Sequence, residues 1–220
     1  MKFFAMTQKK EPGCSIGYLN AVLHDHCPQH SESIDHGMLY PWYADKKNLS
    51  SFPEGMCLVV KEKSIDFSLR SDASHQYIRE DFLRLLEDFG AEIKDRKEIF
   101  VISSSRREEI VRRRYFASIF APEFYLDESI AIDALSSVVE VDEYGFIALE
   151  KLQINPKVEK EVFGIRSLES KHSTLICSEK FVAAARKMDC KGVDFVDLSI
   201  AKWPKMNSFD YRPEEILAVL

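Results

Sequence analysis

LICSEKFVAAARKMDCKGVDFVDL, residues Leu175 to Leu198, predicts one short strand, a capped helix, a glycine stop and a second strand. Ser178 is suited to the N-cap, because its hydroxyl can accept a bond from an orphan amide of the first turn. Phe181, Val182, Ala184, Ala185 and Met188 then recur at helical spacing as an apolar stripe. Gly192 fits the position just past the helix, where glycine turns left-handed at little cost. Cys177 reads as a small buried hydrophobe on the strand end.

A related pattern stands earlier in the chain. Ile78-Arg79-Glu80-Asp81-Phe82 opens a helix over Asp81 to Phe89, by the spacing of Phe82, Leu85, Leu86 and Phe89, and Gly90 stops it. It parallels Ile176 to Phe181 and the helix that ends near Gly192. Both units read as strand, helix, glycine, strand, which suggests two similar lobes sharing one sheet or two packed sheets.

Working outward, strands are predicted at Lys2 to Thr7, Met56 to Glu62, Glu98 to Ile102 and Tyr115 to Phe120. Pro12-Gly13 breaks the first of them. Ile16 to Leu23 reads as a short helix, and His24 to His36 as a polar loop. Ile65 to Leu69 alternates apolar and polar and predicts the return strand of a hairpin turning at Lys63-Ser64. Ser129 to Val141 and Tyr144 to Leu152 are two β-like runs around a turn at Asp142-Glu143. A loop follows Trp203-Pro204, with a short helix from Pro213. The fold class is α+β, with a mostly antiparallel sheet and a few helices. The chain is taken as one domain over residues 1–220, with possible lobes at 1–105 and 106–220.

The totals limit the function classes. The 220 residues are 45% hydrophobic and 30% charged, as in ordinary globular proteins. The net charge of -6 disfavours a general nucleic-acid surface and weakly favours a basic partner. Phe3 to Met6 is too short for a signal-peptide core, and no stretch approaches the ~18 apolar residues of a membrane helix. The five cysteines are odd in number and show no CxxC spacing, so they read as reduced thiols in a cytoplasmic protein.

Chemistry-bearing residues are few. His24, His26, Cys27 and His30, with His36 beyond, are types that ligate zinc. Their spacing matches no zinc pattern, and the stretch reads otherwise as a hydrated loop. Arg106, Arg107, Arg112, Arg113 and Arg114 could grip phosphate or carboxylate. Glu108 and Glu109 between them also permit a salt-bridged, solvated connection. Cys177 and Ser178 lie near His172 and Ser173, yet no G-x-S-x-G elbow surrounds them. No phosphate-binding glycine loop is present. On a strand, Glu140 and Asp142 share a face, which is solvated unless something basic covers it. Trp42, Tyr43, Trp203 and Tyr211 read either as a binding patch or as partial core.

The blocks PGCSIGYLNAVLHD (residues 12–25), YPWYADKKNLSSFPEGMCLVVKEKSIDFSLRSD (residues 40–72) and LICSEKFVAAARKMDCKGVDFVDL resemble the immunity proteins of bacterial polymorphic toxin systems. YIREDFLRLLEDFG is similar to a first copy of the family's strand–cap–helix unit. Ser178, Phe181 and Gly192 match the pattern, whereas Arg79-Glu80 stands where a serine cap is usual. The resemblance implies a cytoplasmic antidote, not an enzyme, which binds and neutralises a cognate protein toxin. That toxin is often a nuclease or another cytotoxic enzyme, and a basic nuclease would gain association rate from an acidic face. The resemblance supplies no catalytic residue, and no cofactor, nucleic-acid partner or membrane partner is expected.

Overall fold

Ser178 caps its helix: its Oγ accepts a hydrogen bond from the Phe181 amide at 3.2 Å. Arg186 and Lys187 occupy the last turn, where the helix dipole favours positive charge. Around this unit the computed structural model describes residues 1–14, 16, 19, 21–29, 52–71, 75–141, 147–166, 174–201 and 203.

In chain order the strands are β1 (Phe3–Gln8), β2 (Ala21–His24), β3 (Cys57–Val60), β4 (Leu69–Ser71), β5 (Gln76–Arg79), β6 (Ile93–Ser103), β7 (Tyr115–Phe120), β8 (Tyr125–Leu126), β9 (Val138–Val141), β10 (Ile147–Lys151), β11 (Val162–Ile165), β12 (Ile176–Ser178) and β13 (Val193–Asp197). The helices are α1 (Glu80–Asp88), α2 (Glu128–Ala131) and α3 (Glu179–Lys187). One sheet has the order β2-β3-β6-β7-β5-β4, another β13-β1-β12-β11-β8, and among the described residues β9 pairs with β10 alone. All pairings are antiparallel except β3 with β6 and β8 with β11. The protein is therefore α+β with mostly antiparallel sheet.

The repeat is deeper than the helices. β5 and β6 flank β7, each antiparallel to it, with α1 as the crossover. β12 and β13 flank β1 in the same way, with α3 as the crossover. Both are split βαβ units. β4 borders β5 outside the first, and β11 borders β12 outside the second. The same backbone bonds recur: Arg79 N donates to Ser68 O and Ser178 N to Glu161 O, while Glu80 N donates to Arg114 O and Glu179 N to Lys2 O. The central strand follows its unit in the first copy and opens the chain in the second.

Both helices and the facing sides of both large sheets contribute to one core. Phe82 of α1 meets Phe181 of α3 edge to face, with centroids 6.1 Å apart. Strand alternation sends Phe4 and Met6 into this core, and Phe3 and Ala5 through the other face of their sheet. There they meet Leu149, Leu152, Ile154 and Trp203. The far face of the six-stranded sheet buries Tyr77, Val101, Tyr115 and Ala117 against Phe52, Met56 and Ile65.

Three local expectations fail. Ser129 to Val141, expected as a β-like run, opens in α2 and becomes strand only at β9, Val138–Val141. Ala21 to Leu23, expected in a helix, and His24, expected to open a loop, form a strand, because they pair in register with Val60 to Cys57. The segment before Leu69 forms no hairpin with β3. Its alternation is real, since Ile65 and Phe67 are buried, but β3 finds its partners in β2 and β6. Tyr40 to Tyr43, the Asp142-Glu143 turn and everything after Trp203 lie outside the described residues.

Candidate functional site

The structure disperses the residues that could have carried chemistry. His24 sits on β2, its ring edge-on to His26 at 6.4 Å. His26 Nδ1 bonds the neighbouring Asp25 carboxylate at 2.6 Å in solvent. Cys27 turns instead toward Cys57, whose thiol burial pushes well up. His30 and His36 lie outside the described residues, and among those described no three His, Cys, Asp or Glu side chains converge to hold a metal ion.

Thiolate chemistry is opposed as well. Burial pushes the Cys14 and Cys190 thiols up to about 11, and the Cys177 thiol higher still. Buried thiols in apolar surroundings stay protonated and inert. Cys177 Sγ donates to Phe4 O at 3.6 Å, and Ser178 is committed to its cap. His172 and Ser173 lie outside the described residues, as do Trp42, Tyr43 and Tyr211, while Trp203 is core.

The arginine run is a connection between β6 and β7. Arg114 reaches Glu98 with Nε at 2.8 Å and Glu80 with Nη1 at 2.9 Å. Arg113 reaches Asp81 at 3.1 Å and Asp189 at 3.5 Å. Arg107 donates to Gln29 O at 3.2 Å. A shallow depression of about 420 Å³ lies beside them, lined by Phe100, Glu54, Glu98, Glu109, Arg112 and Arg114. Arg113 and Arg114 are thus matched by carboxylates within the molecule, and Arg107 is bonded to a main-chain oxygen.

The stretch that follows is different. From Tyr115 to Glu150 the chain carries eight carboxylates and no Lys, Arg or His, a local excess larger than the net -6 of the whole chain. Asp127 pairs with Arg166 at 2.9 Å, whereas Glu128 and Glu150 take no basic partner among the described residues. Four large apolar side chains face solvent in the same stretch: Ile130, Leu135, Val138 and Val139, exposed by 53%, 99%, 43% and 36%.

Local chemistry fixes their display. Asp133 Oδ1 accepts from Leu135 N at 3.1 Å and turns the chain outward. Ser137 Oγ accepts from Gln153 N at 2.9 Å and donates to Gln153 O at 3.2 Å, pinning the turn to the next strand. Val139 stands opposite Leu149, which is buried with Leu152 and Ile154 against the five-stranded sheet. One side of this small sheet is therefore anchored while the apolar tip projects.

The family model that matches the chain is Immunity protein 43, over residues 18–212. The chain belongs to the Immunity protein 43 family. No curated protein matches it. The family match spans the first strand–helix unit whole, the projecting β9–β10 sheet, and the second unit except its central strand β1, which precedes residue 18.

Reading for catalytic motifs misses Ile130, Leu135, Val138 and Val139, because no motif contains them. The available signal is compositional: apolar residues set in a run that lacks every basic residue. Among the described residues no helix is long and apolar enough to cross a membrane.

Proposed function

We propose that this protein is the cytoplasmic antidote to a cognate protein toxin, acting by binding and not by chemistry. The family match over residues 18–212 carries the reading. The unbalanced carboxylates after Tyr115 support a partner with a basic surface, such as an enzyme that acts on nucleic acid. Electrostatic complementarity of this kind speeds association and guards against wrong partners.

The test is co-expression with the toxin encoded beside this chain. The expected result is survival only when both are made, and a complex that co-elutes on gel filtration. Cell death in the presence of well-expressed protein, with no complex on mixing, overturns the reading.

A further inference from the structure

We infer that the toxin is held on the outer face of residues 127–141, with Leu135 and Val138 as apolar anchors and the surrounding carboxylates as the steering rim. This rests on the antidote reading above and assigns a surface to it. Single exposed apolar residues are ordinary on protein surfaces, but a clustered set marks an interaction site. Ile130, Leu135 and Val138 fall within nine residues of chain, and Leu135 is 99% exposed, whereas Val139 turns to the other side of the strand with Leu149.

The display is preorganised. The Asp133 turn, the Ser137–Gln153 pair of bonds and the buried Leu149 hold the ridge in place before anything binds. A rigid anchor loses less entropy on association than a flexible one. β9 and β10 pair only with each other among the described residues.

Charge selects the occupant. A second copy of this chain would bring a like-charged stretch against Glu128 and Glu150, which is repulsive. Nucleic acid and anionic lipid are repelled for the same reason. A basic protein face with a pocket for Leu135 gains both the apolar burial and the steering. Two bases do reach this surface, since Arg166 pairs with Asp127 and Lys151 stands opposite Val138, while Glu128 and Glu150 take no basic partner among the described residues.

The experiment uses the full chain and the toxin domain encoded beside it. Leu135→Asp and Val138→Asp are compared with Phe100→Ala, an exposed aromatic on the other large sheet. Glu128→Lys with Glu150→Lys tests the rim. Circular dichroism and thermal melts verify that each variant folds. The anchor variants are expected to lose about thirtyfold or more in affinity and to stop protecting cells. The rim double variant is expected to associate about tenfold more slowly at low salt, with a smaller deficit at high salt.

If wild type binds the toxin and the anchor variants bind equally well, the surface assignment falls while the antidote reading stands. If wild type does not bind at all, both fall. If wild type self-associates and Leu135→Asp makes it monomeric without affecting toxin binding, the ridge serves a second copy and the assignment is overturned.

Discussion

The two split βαβ units make the same backbone bonds at the same places with different side chains. At the helix start, the second unit has Ser178, whose hydroxyl caps α3. The first has Arg79 there, and its side chain caps nothing. The fully buried guanidinium instead donates to Asp81 at 2.7 Å and crosses to Asp189 O of the other unit at 2.5 Å. Nearby Arg70, also buried, donates to Gly192 O at 2.9 Å. One copy keeps the local device, and the other gives the position over to holding the copies together.

The largest expected effect breaks that seam. Arg79→Ala strands the Asp189 carbonyl, leaves Asp81 to Arg113 alone and empties a fully buried site, and it should destabilise by roughly 3–5 kcal/mol, as truncating a large buried side chain and unpairing a buried acceptor do together. Arg79→Ser sharpens the comparison, since it restores the cap of the second unit. It should recover only about 1 kcal/mol of that loss. Urea titration of both variants reads the difference; full recovery by serine would show that the cap, not the seam, is what this position supplies.

The glycines after the helices differ in the same sense. Gly90 has φ +83° with open space around its missing side chain. Gly192 has φ +70°, and a Cβ there would meet Cys14 Cβ at 2.9 Å and Arg70 Nη2 at 3.1 Å. Gly90→Ala carries only the left-handed strain, about 1–2 kcal/mol. Gly192→Ala adds a clash in the seam and should cost about 1–3 kcal/mol more. Equal losses for the two, measured by chemical denaturation, would argue that the seam can yield. Below both stands Ser178→Ala, which removes one cap bond and should cost about 1 kcal/mol by the same measurement.

Legibility followed range. The unit at Leu175 to Leu198 could be read because cap, stripe and glycine are neighbours in sequence. Its completion by β1 could not, since that strand is the N-terminus. One clue was present: Lys2-Phe3-Phe4-Ala5 and Arg114-Tyr115-Phe116-Ala117 occupy equivalent places. The strand over Ala21–His24 is not legible in a run that reads as helix up to Leu23, because its partner decides its conformation, not its own composition. The strand Ile93–Ser103 is twice as long as its apolar part, because pairing with β7 carries Lys94, Arg96 and Glu98 along. The acidic, base-free run was visible in the sequence, whereas the exposure of Leu135 depends on a turn that only the fold shows.

The smallest effect tests whether the duplicated surface pairs act alike. Lys2 sits over the Phe4 ring and bonds Asp197 at 2.7 Å. Arg114 sits over Phe116 and bonds Glu98 at the equivalent place. The Lys2 ammonium, then the Ser199 amide, hold the Asp197 carboxyl at about 2. The Arg114 guanidinium likewise lowers Glu98. A carboxyl depressed in the folded state stabilises it above the unfolded value of about 4. That contribution is lost as pH falls through the folded value. Asp197→Asn should therefore match wild type at pH 2, fall slightly below it by pH 5, and lose that deficit in high salt. Denaturation of Asp197→Asn and Glu98→Gln across this range compares the copies. A deficit independent of pH in either would place its effect in packing over the aromatic ring, and not in the charge pair.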